Sequence, residues 1–153
     1  MKNNHAGFSL VELIVVMAIM AILVGALAPQ YMKYVEKSRK SIDVRTLDAI
    51  EKAAVITSEE VEEYDTELSI LTEGEYIITF SNGVFTGLTG NEQKSLNVLK
   101  KGIESVVGDL SHITLKHKGW GILQIHMKVE NGLMGISYTN TGSDSYKEYI
   151  SGS

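Results

Sequence analysis

From Leu13 to Met32 the chain reads LIVVMAIMAILVGALAPQYM, twenty consecutive residues without one charged side chain. At about 1.5 Å of rise per residue, a helix of that length covers about 30 Å, the hydrocarbon core of a bilayer. A helix of a water-soluble domain gathers its apolar residues on one stripe, whereas this stretch is apolar all round. The segment is expected to cross a membrane. A cleaved secretory signal is the competing reading, with Lys2 as its basic start and Ala26-Leu27-Ala28 as its small-residue cleavage site. Against it stand the length of the apolar stretch and Glu12, which has Phe8, Leu10 and Val11 on its N-terminal side.

Outside that segment the composition is ordinary, and it excludes more than it assigns. A length of 153 residues suits one domain, so several independent catalytic modules are not expected. Fourteen Lys and Arg against nineteen Asp and Glu give a net charge of −5, which offers no general electrostatic reason to bind nucleic acid. The absence of cysteine removes disulfides, cysteine nucleophiles and thiolate metal sites together.

Glu12 is the residue that asks for an explanation. A carboxylate held within the apolar part of a bilayer costs about 2.5–3.5 kcal/mol on insertion scales, and a cationic partner offsets that cost. One account leaves Glu12 at the interface as a first-turn acid favoured by the helix dipole. The other gives it a partner. The run Gly7-Phe8-Ser9-Leu10-Val11-Glu12-Leu13-Ile14, preceded by Lys2 and His5, resembles the processing and assembly motif of type IV pilins. The resemblance covers about the first fifth of the chain.

In that family a membrane aspartic peptidase removes a short leader ending in glycine, and the new N-terminal residue is methylated. Carried onto this sequence, the resemblance implies cleavage between Gly7 and Phe8, N-methylation of Phe8, and an assembly carboxylate at Glu12. Pro29, the one proline of the chain, falls where the family's helix has a proline. The physical chemistry is consistent with those roles. Cleavage before Phe8 creates an α-amine that stays cationic at neutral pH, and Glu12 neutralises it. If that amine belongs to a neighbouring copy, each copy keeps an unpaired charge until it docks, which fixes axial register. Gly7 lacks a Cβ and so admits a peptidase close to its backbone, a role that a bulky residue would block.

Within the span Ala18, Ala21, Gly25 and Ala28 recur at spacings of three and four, a pattern that permits close helix packing and is also common in membrane helices generally. Pro29 removes one backbone hydrogen bond and crowds the preceding turn, so the helix is expected to kink or locally open near Gly25 to Ala28, a helix break at Gly25 and Pro29, or else the membrane boundary lies there. Lys33, Lys37, Arg39 and Lys40 come after the span, while only Lys2 and the N-terminus precede it. A count of basic residues would keep the C-terminal part in the cytoplasm. The pilin resemblance requires the opposite orientation and is given precedence, because it uses several positions jointly.

Beyond Pro29, Val35, Ile42, Leu47, Ile50 and Ala54 continue a helical apolar face to about Glu63. The acids Glu59 to Glu75 read as a solvated surface, with pairing to the basic stretch of another copy as the alternative. Two Asn-Gly steps between apolar runs mark hairpins, Glu75–Phe80 into Val84–Leu88 and Gly121–Glu130 into Leu133–Tyr138. Between them a helix capped by Asn91 would bury Leu96, Leu99, Ile103 and Val106 and end at Gly108-Asp109. A strand is expected over Ile113–His117, and the tail from Asn140 to Ser153 reads as surface or edge. The expected fold class is α+β: a long N-terminal helix, half transmembrane and half amphipathic, on a small antiparallel sheet with one additional helix. Its parts are a leader (1–7), a transmembrane and assembly helix (8–32), an amphipathic continuation (33–63) and a globular head (64–153).

His112, His117 and His126 lack a carboxylate at any recognised ligand spacing and read as solvent-facing. No phosphate loop, nucleophile elbow or paired acid/base motif is present. Trp120 reads as a core or subunit-contact aromatic rather than an exposed adhesive one. No catalytic residue, metal or cofactor is therefore assigned, and no enzyme is expected. The resemblance implies a pilus subunit that sits in the cytoplasmic membrane as a precursor, surrounded by lipid. It is processed by the prepilin peptidase and N-methyltransferase, handled by membrane assembly machinery, and polymerised with itself into an extracellular filament. A pseudopilin of a secretion or DNA-uptake machine, and an anchored binding domain, are the alternatives.

Overall fold

The structure is a computed structural model that describes residues 9–64 and 71–150, without the side chains of 60–64. The chain divides between Ser38 and Arg39 into two compact units. A single helix, α1 (Leu10–Tyr64), runs through that boundary. After it come strands β1 (Gly74–Ser81) and β2 (Val84–Thr89), helix α2 (Gln93–Val107), strands β3 (Ile122–Glu130) and β4 (Leu133–Asn140), and a short helix α3 (Tyr146–Ile150). The class is α+β, as the patterning predicts, with α3 and one 3-10 turn at Leu110–His112 beyond the single extra helix expected.

All pairings of the four-stranded sheet are antiparallel, in the order β2-β1-β3-β4. Both hairpins form where Asn-Gly stands. Asn82 and Gly83 have φ of 50° and 83°, and Asn131 and Gly132 have 51° and 75°, the doubly left-handed pair that a two-residue turn needs to match strand twist. Strict alternation then sends Tyr76, Ile78 and Phe80 of β1, and Leu123, Ile125, Met127 and Val129 of β3, into the core. Against that face lie Leu47, Ile50, Ala53 and Ala54 of α1, and Leu99 and Ile103 of α2.

Several expectations are corrected. The buried stripe of α1 runs through Asp43, Leu47, Ile50, Ala54 and Thr57, while Ile42 faces out. In α2 the residue before the helix is Glu92, without a side-chain cap bond, so Asn91 is not the cap; Val106 is exposed, and Val107 packs on the core instead. Residues 113–117 form no strand beyond a bridge of Thr114 to Val84. The amides of Lys116 and His117 donate to Asp43 Oδ1 and Oδ2 at 2.8 and 2.6 Å, so a carboxylate takes the bonds a ladder would have taken. His117 is buried rather than solvent-facing, and His126 is largely buried under its partners, whereas His112 is exposed as expected. Trp120 belongs to the core.

The tail is likewise not mere surface. Tyr146 is buried and packs edge-on against Trp120, ring centroids 4.9 Å apart. Asn140 Nδ2 donates to the carbonyls of Trp120 and Asp144, and its Oδ1 accepts from the Tyr146 amide. Asp144 accepts from Lys40 at 2.5 Å and faces His117 Nε2 at 3.1 Å, which ties the C-terminal segment to α1 and to the preceding loop. In a chain without cysteine, these polar bonds and the packing of Tyr146 on Trp120 fasten residues 140–146 to the rest of the head.

Candidate functional site

The site singled out by the sequence lies at the start of α1. Gly7 and Phe8, the cleavage and methylation positions, fall outside the described residues. Ser9 precedes the first helical residue, and its carbonyl accepts the first helical bond from Leu13 at 3.3 Å. Its amide donates to Glu12 Oε2 at 3.0 Å. That is the reciprocal half of a capping box, in which an acid three residues into the helix satisfies an amide that has no intrahelical partner. Sequence reasoning misses this contact, although the Ser-x-x-Glu spacing of Ser9 and Glu12 carries its signature. The carboxylate retains acceptor capacity for a further donor, and its charge favours the helix N-terminus.

Past Glu12, α1 presents an apolar surface with nothing of its own to cover it. Every large apolar side chain from Leu10 to Tyr34 is at least 46% exposed. The helix is long and apolar enough to cross a membrane, and none of its most apolar window is buried within the chain. Exposing that much contiguous apolar surface to water is unfavourable, so the segment needs lipid or other helices around it. Helical geometry is unbroken through Gly25 and Pro29. Proline removes only its own bond to the Gly25 carbonyl, and the turns on either side stay helical. No heavy atom stands within 4 Å of the position a Cβ on Gly25 would take.

Elsewhere the titratable groups are structural in their partners. Burial pushes Asp43 upward, against the two amides and the positive groups that favour its charge. The Lys40 ammonium holds Asp144 below the usual carboxylate range. Burial raises Tyr138 and Tyr146 well above the ordinary phenol value. Among the described residues, no three His, Asp or Glu side chains converge as a metal site.

The chain matches the family described as the prokaryotic N-terminal methylation motif over residues 2–28. Over 52 residues it is 36% identical to the prepilin peptidase-dependent protein A of Clostridium perfringens (strain 13 / Type A), a match covering 34% of this chain. The aligned part spans 37% of that relative's length. No solved structure matches the chain significantly. Methylation motif, apolar N-terminal helix and α+β head together support a type IV pilin-like protein.

Proposed function

We propose that the chain is the precursor of a filament subunit, cut between Gly7 and Phe8 by a prepilin peptidase, methylated on Phe8, and polymerised through α1 into a surface pilus. The observation that carries this reading is the first half of α1, whose large apolar side chains from Leu10 to Tyr34 are all at least 46% exposed and which holds one carboxylate, Glu12, four residues after Phe8. Lipid covers that surface before assembly, and the same helices of other copies cover it afterwards. The amine released at Phe8 of one copy pairs with Glu12 of its neighbour. Assembly machinery in the membrane supplies the docking step, and the head is carried to the outside. Pro29, which leaves the Gly25 carbonyl without its helical donor, is the place where α1 opens if packing in the filament extends it.

Glu12→Ala tests the pairing. A buried ion pair broken on one side costs about 3–5 kcal/mol, because the remaining charge is uncompensated. The variant should insert in the membrane and be cleaved to start at Phe8, yet yield no sheared filaments. Filaments of the variant at the parent's abundance would remove Glu12 from assembly.

A further inference from the structure

Two surfaces of the head carry opposite charge and lie at opposite edges of its sheet. At the β4 edge a groove of about 210 Å³ opens between α1, β4 and α3. The rings of Tyr138 and Tyr146, centroids 4.8 Å apart, line it, and Asp48 and Glu51 stand beside them with Arg45. Glu51 accepts the Tyr138 hydroxyl at 2.5 Å and keeps further acceptor capacity. Asp48 pairs with Lys52 at 2.8 Å, an exposed contact along the helix that exchanges at little cost. Two carboxylates, Asp48 and Glu51, against one guanidinium, Arg45, leave the groove's lining with a net negative charge. An aromatic ring flanked by carboxylates makes a seat for an amine, which pairs its charge with the acids and lays its stem along the partly exposed Tyr138.

The β2 edge offers the complement. Helix α2 packs inward through Ser95, Leu99 and Ile103. Lys94 and Lys101, seven residues apart and so on one stripe, face solvent. Lys100 is shared with Glu104 at 3.8 Å. These three lysines are the first basic residues after Lys52. The two surfaces sit at edges that the strand order places three strands apart.

We propose that the groove seats the α2 lysines, Lys101 foremost, of a second copy of this chain. A contact between two different faces is heterologous and repeats without closing into a pair, which is the geometry of a filament. The inference rests on the polymer reading and adds which surfaces of the heads meet.

A chain without cysteine allows a clean test. Asp48→Cys and Lys101→Cys are made singly and together in the full-length chain, as the cell's only copy, and sheared filaments are treated with a short bismaleimide. The double variant should give a ladder of covalent multimers beyond the dimer, and each single variant monomer alone. Filaments of the double variant that yield only monomer would overturn the proposal, as would dimers from Asp48→Cys alone, which mark a two-fold contact. If the double variant does not assemble, a charge exchange decides: Asp48→Lys should lower filament yield several-fold and adding Lys101→Glu should restore it, and lack of restoration overturns the contact. A parent chain that makes no filaments overturns the polymer reading itself, and the contact with it.

Discussion

Tyr138 and Tyr146 keep their protons in the folded head because burial disfavours their charged forms and nearby carboxylates oppose a further negative charge. In the unfolded chain both titrate near the ordinary value of about 10. The folded values lie above the unfolded ones, so the stability these groups contribute is fully present below pH 10. It is lost as pH rises toward the folded values, since the unfolded chain releases its protons first. Thermal unfolding of the full chain in detergent should therefore weaken steeply above pH 10, and Tyr138→Phe should make that decline shallower. A variant that loses stability with pH as fast as the parent would contradict the assignment. Neither tyrosine is legible as a core residue. Tyr146 lies in a Ser- and Gly-rich tail whose composition reads as surface, and its burial depends on Trp120, 26 positions earlier in the chain. The burial of His117 is hidden for the same reason, since its partners Asp43 and Asp144 are distant in sequence.

Among the elements, the hairpins are legible because their information is local: an Asn-Gly pair takes the backbone conformation of the turn, and alternation on either side decides which face is wet. The segment 113–117 is not, because its outcome depends on one side chain of α1. Asp43 occupies a core position, four and seven residues ahead of Leu47 and Ile50, and an acid on that stripe signals a polar tether rather than a gap in the pattern. Its two bonds to Lys116 and His117 fasten the loop that leads to Trp120. Asp43→Ala leaves both amides without an acceptor, which at about 1–3 kcal/mol for each buried orphan donor should destabilise the head by roughly 2–6 kcal/mol. Asp43→Asn, which keeps one acceptor, should cost less. Denaturant unfolding checks both, and an alanine variant as stable as the parent would show that water replaces the carboxylate without loss.

For the molecule as a whole, the division of labour is set by which apolar surface is covered from within. The head buries its own in a sheet closed by the second half of α1, whereas the first half of α1 leaves all of its apolar surface for something else to cover. That much is readable from the uncharged run and from Glu12 following closely after Gly7-Phe8 in the sequence. That α1 stays helical on both sides of Pro29 is not, because local sequence shows the bond that proline removes and not the turns that persist around it. The central claim is that the chain is processed and then polymerised, and intact-mass and N-terminal analysis of material sheared from the cell surface, set beside the membrane fraction, tests it most directly. Sheared filaments built of chains that begin at N-methylated Phe8 are the predicted result. Chains found only in the membrane and still beginning at Met1 would contradict it and leave an anchored domain in its place.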